Sequence, residues 1–366
     1  METLREVGII TFHAADNYGA VLQAYALQQF LSLNGIENEI IDFSPRSVVS
    51  ANNPLYIPGG FSLKRFLKQL AVLPNYFKLR RRCARFNAFR TNNFVLSPRL
   101  LSPNDISRCE RKYRVVITGS DQVFNPLTKY AATYYLRYFK NVEKVAYAPS
   151  FGIRDYSLVD EEKKEQLKSF YRLSCREADG AAFLSEICGE EVPTVLDPVF
   201  LLSPKSWIDL ANSPMNKKYI FVYDLNGGKE LIEIARRIKD RTGLPIICVS
   251  ARKYALFYNG VDEFHLDTAP EEFLGYVKDA EYVVTDSFHG SAFSLLFRKK
   301  VLSYVALKNA GSRILNLFNQ FDLGEQIINR ADVFKLEHIE FKEYDSKLEK
   351  FVGYSRGILL EMLTVN

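Results

Sequence analysis

The segment YVVTDSFHGSAF, residues 282–293, has the residue types and the order of an anion-binding turn. Its apolar strand pattern stops at the aspartate and a helix pattern follows, so free backbone N–H groups and the helix dipole favour an anion there. Gly290 lets the anion approach, and Ser287 and Ser291 can donate hydroxyl hydrogen bonds. His289 would lie beside the anion, which favours the imidazolium that a general acid requires. The alternative is a buried histidine that only bonds a backbone carbonyl.

Two other segments follow predicted strands and carry charged side chains. In TGSDQVFNP, Asp121 comes after a turn that includes Ser120, and its carboxylate can take a proton from a sugar hydroxyl or accept its hydrogen bond. A helix N-cap is the alternative. In LSCREADG, Arg176 ends a strand, where a guanidinium can bind a carboxylate or a phosphate through two hydrogen bonds. The alternative there is a salt bridge with Glu177 or Asp179.

Two helix starts complete the predicted binding residues. HAADNYGA places Asn17 where it can cap a helix, and Gly19 where no side chain blocks a ligand from the helix N-terminus. In GSRILNLF, Arg313 is a further predicted anion ligand at a helix start. Ordinary capping, packing or ion pairing is the alternative for each of them. None of these segments is a GxGxxG dinucleotide motif, a Walker A loop or a GxSxG elbow.

A metal site is not predicted, because the histidines lie far apart in sequence. They have neither HxxxH nor HExxH spacing, and they are His13, His265, His289 and His338. We therefore expect acid–base chemistry without a bound metal.

Strand and helix patterns alternate along the chain, which is the order of parallel sheets covered by helices. Strands are predicted at 7–12, 37–43, 113–118, 144–150, 172–176, 194–196, 218–225, 245–250, 282–286 and 301–305. We predict an α/β protein with two Rossmann-like domains that face a cleft, residues 1–210 with a basic helical insertion at 45–110, and residues 211–340. A helix in 341–366 is expected to cross back to the first domain. Ligands bind at the carboxyl ends of such strands.

Basic residues are concentrated in one part of the chain. Between Ser44 and Asn104 lie eleven lysines and arginines and no acidic residue, although the whole chain has a net charge of only +5. Within residues 61–90, apolar residues recur at helical spacing between these bases. The pattern predicts a surface for an anionic membrane or a lipid-diphosphate. The alternative is an insertion that packs its apolar face on the domain. Nucleic acid is not expected, since no recognised binding motif accompanies the charge.

Composition excludes several classes of protein. With 47% hydrophobic and 25% charged residues, the chain is neither disordered nor fibrous. No stretch approaches the roughly 18 apolar residues of a membrane span. The five cysteines have no CxxC spacing, which is typical of reduced thiols. The N-terminal residues do not have the pattern of a signal peptide, so we expect a cytoplasmic protein.

Seven short segments occur in an order that resembles the polysaccharide pyruvyl transferase family. They are NYGAVLQAYAL, TGSDQVFN, YAPSFG, SCRE, LDPVFLL, TDSFHGSAF and SRI. The resemblance spans about Gly8 to Leu317 and omits the basic insertion and the C-terminal helix. Two positions depart from the family pattern: Phe124 stands where many relatives have tryptophan, and Pro149 interrupts what is usually YAASFG.

The resemblance implies a two-domain fold similar to GT-B glycosyltransferases. It also implies transfer of the enolpyruvyl portion of phosphoenolpyruvate to sugar hydroxyls, which leaves a pyruvate ketal and free phosphate. Asp121, Arg176 and His289 fall on catalytic or donor-binding positions of the family. The implied partners are phosphoenolpyruvate as co-substrate, with no other cofactor, and a saccharide acceptor. That acceptor would be a bacterial surface polysaccharide or its lipid-diphosphate-linked precursor, handled at the inner face of the membrane.

The residues suit this chemistry independently of the resemblance. Addition of a sugar oxygen to C2 of the donor requires a proton at C3, and we expect His289 to give it and Asp121 to take the hydroxyl proton. The predicted ligands of the donor anion are Arg176, Ser287, Ser291 and Arg313. Two other functions stay open: a GT-B glycosyltransferase that uses a nucleotide sugar, and a non-catalytic polysaccharide-assembly protein.

Overall fold

The computed structural model describes residues 5–56, 63–253, 259–305, 312–329, 341 and 343–364. In these ranges the strands are β1 (Arg5–Ile10), β2 (Asn38–Ile40), β3 (Tyr113–Thr118), β4 (Glu143–Ala146), β5 (Arg172–Leu173), β6 (Ile220–Asp224), β7 (Ile246–Ser250), β8 (Glu263–His265), β9 (Tyr282–Thr285), β10 (Lys300–Tyr304) and β11 (Ile327–Ile328).

The helices of the described residues cover both sheets. They are α1 (Tyr18–Leu33), α2 (Arg46–Asn52), α3 (Leu63–Val72), α4 (Tyr76–Asn93), α5 (Ala131–Tyr134), α6 (Glu161–Lys168), α7 (Ala178–Cys188), α8 (Pro204–Leu210), α9 (Lys229–Thr242), α10 (Pro270–Asp279), α11 (Phe288–Leu296), α12 (Ser312–Asn319) and α13 (Tyr344–Leu363). None of them has the length and apolar character to cross a membrane.

The strands form two sheets, one from each half of the chain. Their orders are β2-β1-β3-β4-β5 and β11-β10-β9-β6-β7-β8, and all neighbouring strands are parallel. Every residue of β6 and β7 is buried, because helices cover both faces of a parallel sheet. The predicted α/β architecture with two Rossmann-like units is therefore confirmed.

Each sheet has a switch point, where the chain leaves neighbouring strands in opposite directions. It lies between β1 and β3 in the first sheet and between β6 and β9 in the second. Crevices for ligands open at the carboxyl ends of the strands at such points. The predicted binding segments that follow β1, β3 and β9 all start at these switch points.

One predicted strand is wrong and two short strands were missed. Residues 194–196 make only a single bridge, between Thr194 and Cys175, because the chain turns away at Pro198. The missed strands, β8 and β11, have three and two residues. They lie at the edges of the second sheet and are too short for a period-two pattern.

Helix α1 joins the two halves. Apolar residues lie on every side of this helix, and twelve of its sixteen residues are buried, as expected for a helix inside the molecule. Tyr18 stacks on Phe273 of α10 with ring centroids 4.6 Å apart, and its hydroxyl donates to the Thr268 carbonyl at 2.9 Å. The N-terminus of α1 is thereby held against the second half.

Part of the predicted basic surface is used inside the protein. On α4, Arg82 donates to the Ala251 carbonyl at 3.1 Å, and Arg85 donates to the Asp267 carbonyl at 3.0 Å and to the Glu272 carboxylate. These arginines hold the insertion against the second half and are not available to a membrane. Residues 61 and 62 and the side chains of 63–66 and 68 lie outside the described residues, as does His338.

Helix α13 packs against the first half of the chain. Ser355 accepts a hydrogen bond from the Leu196 backbone at 3.0 Å, and Arg356 donates to the Leu201 carbonyl at 2.7 Å. Arg114 of β3 donates to the Leu363 carbonyl at 3.1 Å. The C-terminal helix therefore contacts the first half of the chain.

Candidate active site

A cleft of about 800 Å³ lies where the two switch points face each other. This volume is ordinary for a small-molecule site. The first half contributes Phe12, Asn17, Asp121, Gln122 and Gly152. The polar groups from the second half are Asn226, Glu230, Asp286, Ser287, His289, Tyr304 and Arg313. Five of the predicted site residues, namely Asn17, Asp121, Ser287, His289 and Arg313, thus line one cleft.

His289 lies in the first turn of α11, which Ser287 caps by accepting from the Gly290 backbone at 3.3 Å. The imidazole is only 6% exposed. A Cβ on Gly19 would stand 2.0 Å from its Nδ1, so only glycine allows α1 to approach the ring this closely. The role of Gly19 in this structure is therefore to make room for His289 rather than for a ligand at the helix N-terminus.

Asp197 is a site residue that sequence reasoning missed. It is fully buried, and its Oδ2 accepts from Arg176 Nη1 at 2.6 Å and from the Ser120 hydroxyl at 3.0 Å. The same oxygen lies 3.5 Å from His289 Nε2. The segment LDPVFLL carried the signal, because a charged residue between an apolar stretch and a proline follows the end of an extended segment.

The charged side chains around Asp197 and Arg176 determine how these two groups ionise. Burial alone would raise the pKa of Asp197, but the adjacent His289 and Arg176 outweigh burial and hold that pKa well below its ordinary value. Burial opposes the charged form of Arg176, while Glu177 and Asp197 favour it and raise the pKa of the guanidinium. Asp197 therefore stays a carboxylate.

Arg176 lies behind the cleft wall. Besides Asp197 it contacts Glu177, with Nε 3.3 Å from Oε1, and its guanidinium carbon stands 4.2 Å from the ring centre of Phe288. The salt bridge with Glu177 that the sequence offered as an alternative is present. It leaves Nη2 without a hydrogen-bond partner among the described residues.

Arg313 brings a second guanidinium to the cleft from the start of α12. With the Gln122 amide oxygen turned toward it, that oxygen accepts from Nη1 at 3.0 Å and from Nη2 at 2.7 Å. Arg313 Nε is buried and has no partner in the described part of the chain. Burial and the nearby Arg176 lower the pKa of Arg313. The two guanidinium groups are thus close enough to repel each other.

Asp121 has a strained backbone at the end of β3. Its φ of 75° and ψ of −173° fall in a region that almost only glycine adopts. The conformation is held because its carbonyl accepts from the Ser150 and Val123 backbones at 2.8 and 2.7 Å. The carboxylate accepts from the Gln122 backbone at 2.8 Å, so the predicted cap is present, and it also faces the cleft. Such strain concentrates at functional sites.

Three predicted binding residues have other contacts. The Ser291 hydroxyl donates to the Ser287 carbonyl at 2.9 Å and lies 2.7 Å from the Ser303 hydroxyl, so it is turned into the protein. Gly290 packs against Thr285, where a Cβ would stand 2.6 Å from Oγ1. Ser120 donates to Asp197 and to a backbone carbonyl and does not line the cleft. None of these three residues is among those that line the cleft.

Asp286 is a second residue whose position the sequence reasoning did not use. Its carboxylate accepts from the Leu225 and Asn226 backbones at 2.9 and 3.0 Å, which fixes the loop after β6 at the cleft rim. Burial raises the pKa of Asp286, and the nearby Asp224 adds to the effect.

Comparisons with known proteins agree with this architecture. A family model described as polysaccharide pyruvyl transferase matches residues 17–306. The UDP-N-acetylglucosamine 2-epimerase from Rickettsia bellii has a TM-score of 0.52 at 9% identity, with 99% of this chain and 96% of that chain covered. The UDP-GlcNAc 2-epimerase from Methanocaldococcus jannaschii has a TM-score of 0.49 at 13% identity, with 98% and 99% covered. At 9% identity, the likeness to the Rickettsia bellii enzyme shows the fold alone. A comparison with curated proteins found no match.

Proposed function

The chain belongs to the polysaccharide pyruvyl transferase family, and on this premise we propose that it transfers the pyruvyl group of phosphoenolpyruvate to a pair of saccharide hydroxyls. The product is a pyruvate ketal, and phosphate is released. The proposed acceptor is a bacterial surface polysaccharide or its lipid-diphosphate-linked precursor.

The observation that carries this proposal is a pair of arginines with unused donors. Arg176 Nη2 and Arg313 Nε are buried and have no hydrogen-bond partner among the described residues. Leaving a buried donor unpaired costs about 1–3 kcal/mol, and two adjacent guanidinium groups also repel each other. A dianion bound in the cleft beside Arg313 offsets this repulsion. Phosphoenolpyruvate carries a carboxylate and a phosphate, the groups that guanidinium binds best.

The acid and the base come from opposite halves of the molecule. In the first step Asp121 takes the proton of one hydroxyl as its oxygen bonds to C2, while His289 gives a proton to C3, which becomes a methyl group. In the second step the C2–O bond to phosphate breaks, the second hydroxyl oxygen bonds to C2, and its proton leaves with the phosphate. Exchange with solvent returns the proton to His289 and removes it from Asp121.

The test is phosphoenolpyruvate-dependent release of phosphate in the presence of galactose- and mannose-type glycosides, free and lipid-linked. We expect His289→Ala to lower the rate about 10²–10⁴-fold, the usual contribution of one proton transfer. His265→Ala is the matched control, because it removes a histidine on β8, outside the cleft.

Three results would contradict the proposal. Near-normal turnover of His289→Ala, with unchanged affinity for phosphoenolpyruvate, would remove the acid role. Stabilisation of the protein by a nucleoside diphosphate, without any by phosphoenolpyruvate, would favour a glycosyltransferase that uses a nucleotide sugar. Binding of neither ligand would favour an assembly protein.

A membrane contact of the basic insertion belongs to the same proposal. Leu67, Leu70, Leu73 and Phe77 are 55%, 44%, 51% and 84% exposed and form an apolar stripe along α3 and the start of α4. Lys78 and Arg80 are exposed beside the stripe. Apolar side chains flanked by bases favour the surface of anionic lipids, where a lipid-linked acceptor would be found.

A further inference from the structure

Asp197 connects the two halves of the molecule at the candidate acid. It precedes a short 3₁₀ turn of the first half, and its Oδ1 accepts from the Val199 backbone at 3.1 Å. Its Oδ2 receives Arg176 and Ser120, and this oxygen faces His289 of the second half at 3.5 Å. No other carboxylate among the described residues makes an ion-pair contact with His289.

The two nitrogens of His289 have different surroundings. Nε2 is buried, lies 3.5 Å from Asp197 Oδ2 and makes no hydrogen bond to any group among the described residues. Nδ1 lies beside the Cα of Gly19, and no group in the described part of the chain hydrogen-bonds to it. Because Nε2 is enclosed by Asp197, Nδ1 is the ring nitrogen left to meet a bound molecule.

We propose that Asp197 is a positioning residue that holds the imidazole of His289 through Nε2–H, so that Nδ1 carries the proton given to the substrate. This inference rests on the proposed function. The neutral ring then keeps its proton on Nε2, next to the carboxylate, and Nδ1 is protonated only in the imidazolium. Transfer of the Nδ1 proton to C3 leaves a ring that Asp197 still orients.

Asp197 is held as the partner of a buried cation, since Arg176 Nη1 donates to its Oδ2 at 2.6 Å. The other charged groups around this pair are Glu177, Asp121 and Arg313. Replacement of Asp197 by asparagine removes one negative charge and keeps the size of the side chain.

The first test uses Asp197→Asn in the phosphate-release assay. We expect kcat to fall about 10²-fold while the KM for phosphoenolpyruvate stays nearly unchanged, because the ring loses the carboxylate that orients it for proton transfer. Asp42→Asn is the matched control, since Asp42 Oδ1 accepts from His13 Nε2 at 3.0 Å outside the cleft. We expect it to keep both the kcat and the KM of the unchanged protein. An Asp197→Asn variant with the kcat of the unchanged protein would overturn the proposal.

The second test needs neither a stable Asp197 variant nor turnover. In nitrogen-15 spectra of the unchanged protein, the His289 signals are identified by their absence in His289→Gln. We expect the neutral ring to have its proton on Nε2 and a bare Nδ1. A neutral ring protonated on Nδ1 would overturn the proposal. If phosphoenolpyruvate releases no phosphate, the proposed reaction fails, while this measurement still decides the role of Asp197.

Discussion

The carboxylate of Asp121 lines the cleft, and its backbone has a conformation that is sterically unfavourable for any residue with a Cβ atom. Its φ of 75° is positive, and its neighbours hold it there through backbone hydrogen bonds to its carbonyl. Positions with such strain are kept where the direction of the side chain matters for function. The strain is therefore a reason, independent of sequence resemblance, to place Asp121 in the reaction.

The strain predicts an unusual order of stability at this position. We expect Asp121→Gly to be about 1 kcal/mol more stable than Asp121→Ala, because glycine adopts positive φ without a steric penalty. At ordinary positions alanine is the more stable of the two. Urea unfolding of the pair measures the difference, and both variants should lack activity. A more stable alanine variant would show that the strained conformation does not exist in solution.

At the scale of secondary-structure elements, α4 has two faces with different surroundings. Its buried face carries Arg82 and Phe86, which pack inside the protein, while Phe77 and Arg80 at its start are exposed. Neither face carries an acidic residue. Only the packing of α4 on the second half separates the bases that hold the insertion from those that are exposed to solvent.

The apolar stripe predicts salt-dependent binding to lipid. We expect the protein to float with phosphatidylglycerol vesicles at low salt and to be released at high salt. Leu73→Ser with Phe77→Ser should weaken binding at least about 10-fold, because each buried apolar side chain contributes about 1.5–3 kcal/mol. Leu127→Ser is the control, as this leucine is 70% exposed outside the insertion. Equal flotation of the two variants would show that the stripe does not bind lipid.

At the scale of the whole molecule, the proposed reaction needs both halves in contact. Asp121 and Asp197 belong to the first half, and His289 and Arg313 to the second. The basic insertion spans the same junction, where Arg85 contacts Glu272 with side chains 34% and 22% exposed. The geometry of the cleft therefore depends on charges that lie outside it.

Charge reversal at this junction should weaken the contact between the two halves. We expect Arg85→Glu to lower the free energy of unfolding by about 1 kcal/mol, the upper end for a partly exposed ion pair, and to increase the radius of gyration in X-ray scattering. Arg80→Glu makes the same charge change on an exposed face of α4 and should stay within about 0.5 kcal/mol. Equal effects of the two variants would show that the contact does not hold the halves together.

The sequence by itself determined the fold class, the strands that carry the site and several of its residues. Buried parallel strands and the caps of α1 and α11 are local patterns, so residues near Asn17, Asp121 and His289 could be recognised from a few neighbours each. The strand ends then indicated a common cleft, because parallel strands present their carboxyl ends at one edge.

Only the tertiary structure decided which groups meet. Asp197 and His289 are 92 positions apart, and nothing local predicts that one carboxylate oxygen accepts from Arg176 and Ser120 and lies 3.5 Å from the imidazole. The same holds for Ser291, whose hydroxyl lies against Ser303 inside the protein. It also holds for Arg82 and Arg85, which donate to a carbonyl and a carboxylate of the second half. A local pattern specifies an element and its cap, whereas the partner of a side chain depends on how distant elements pack.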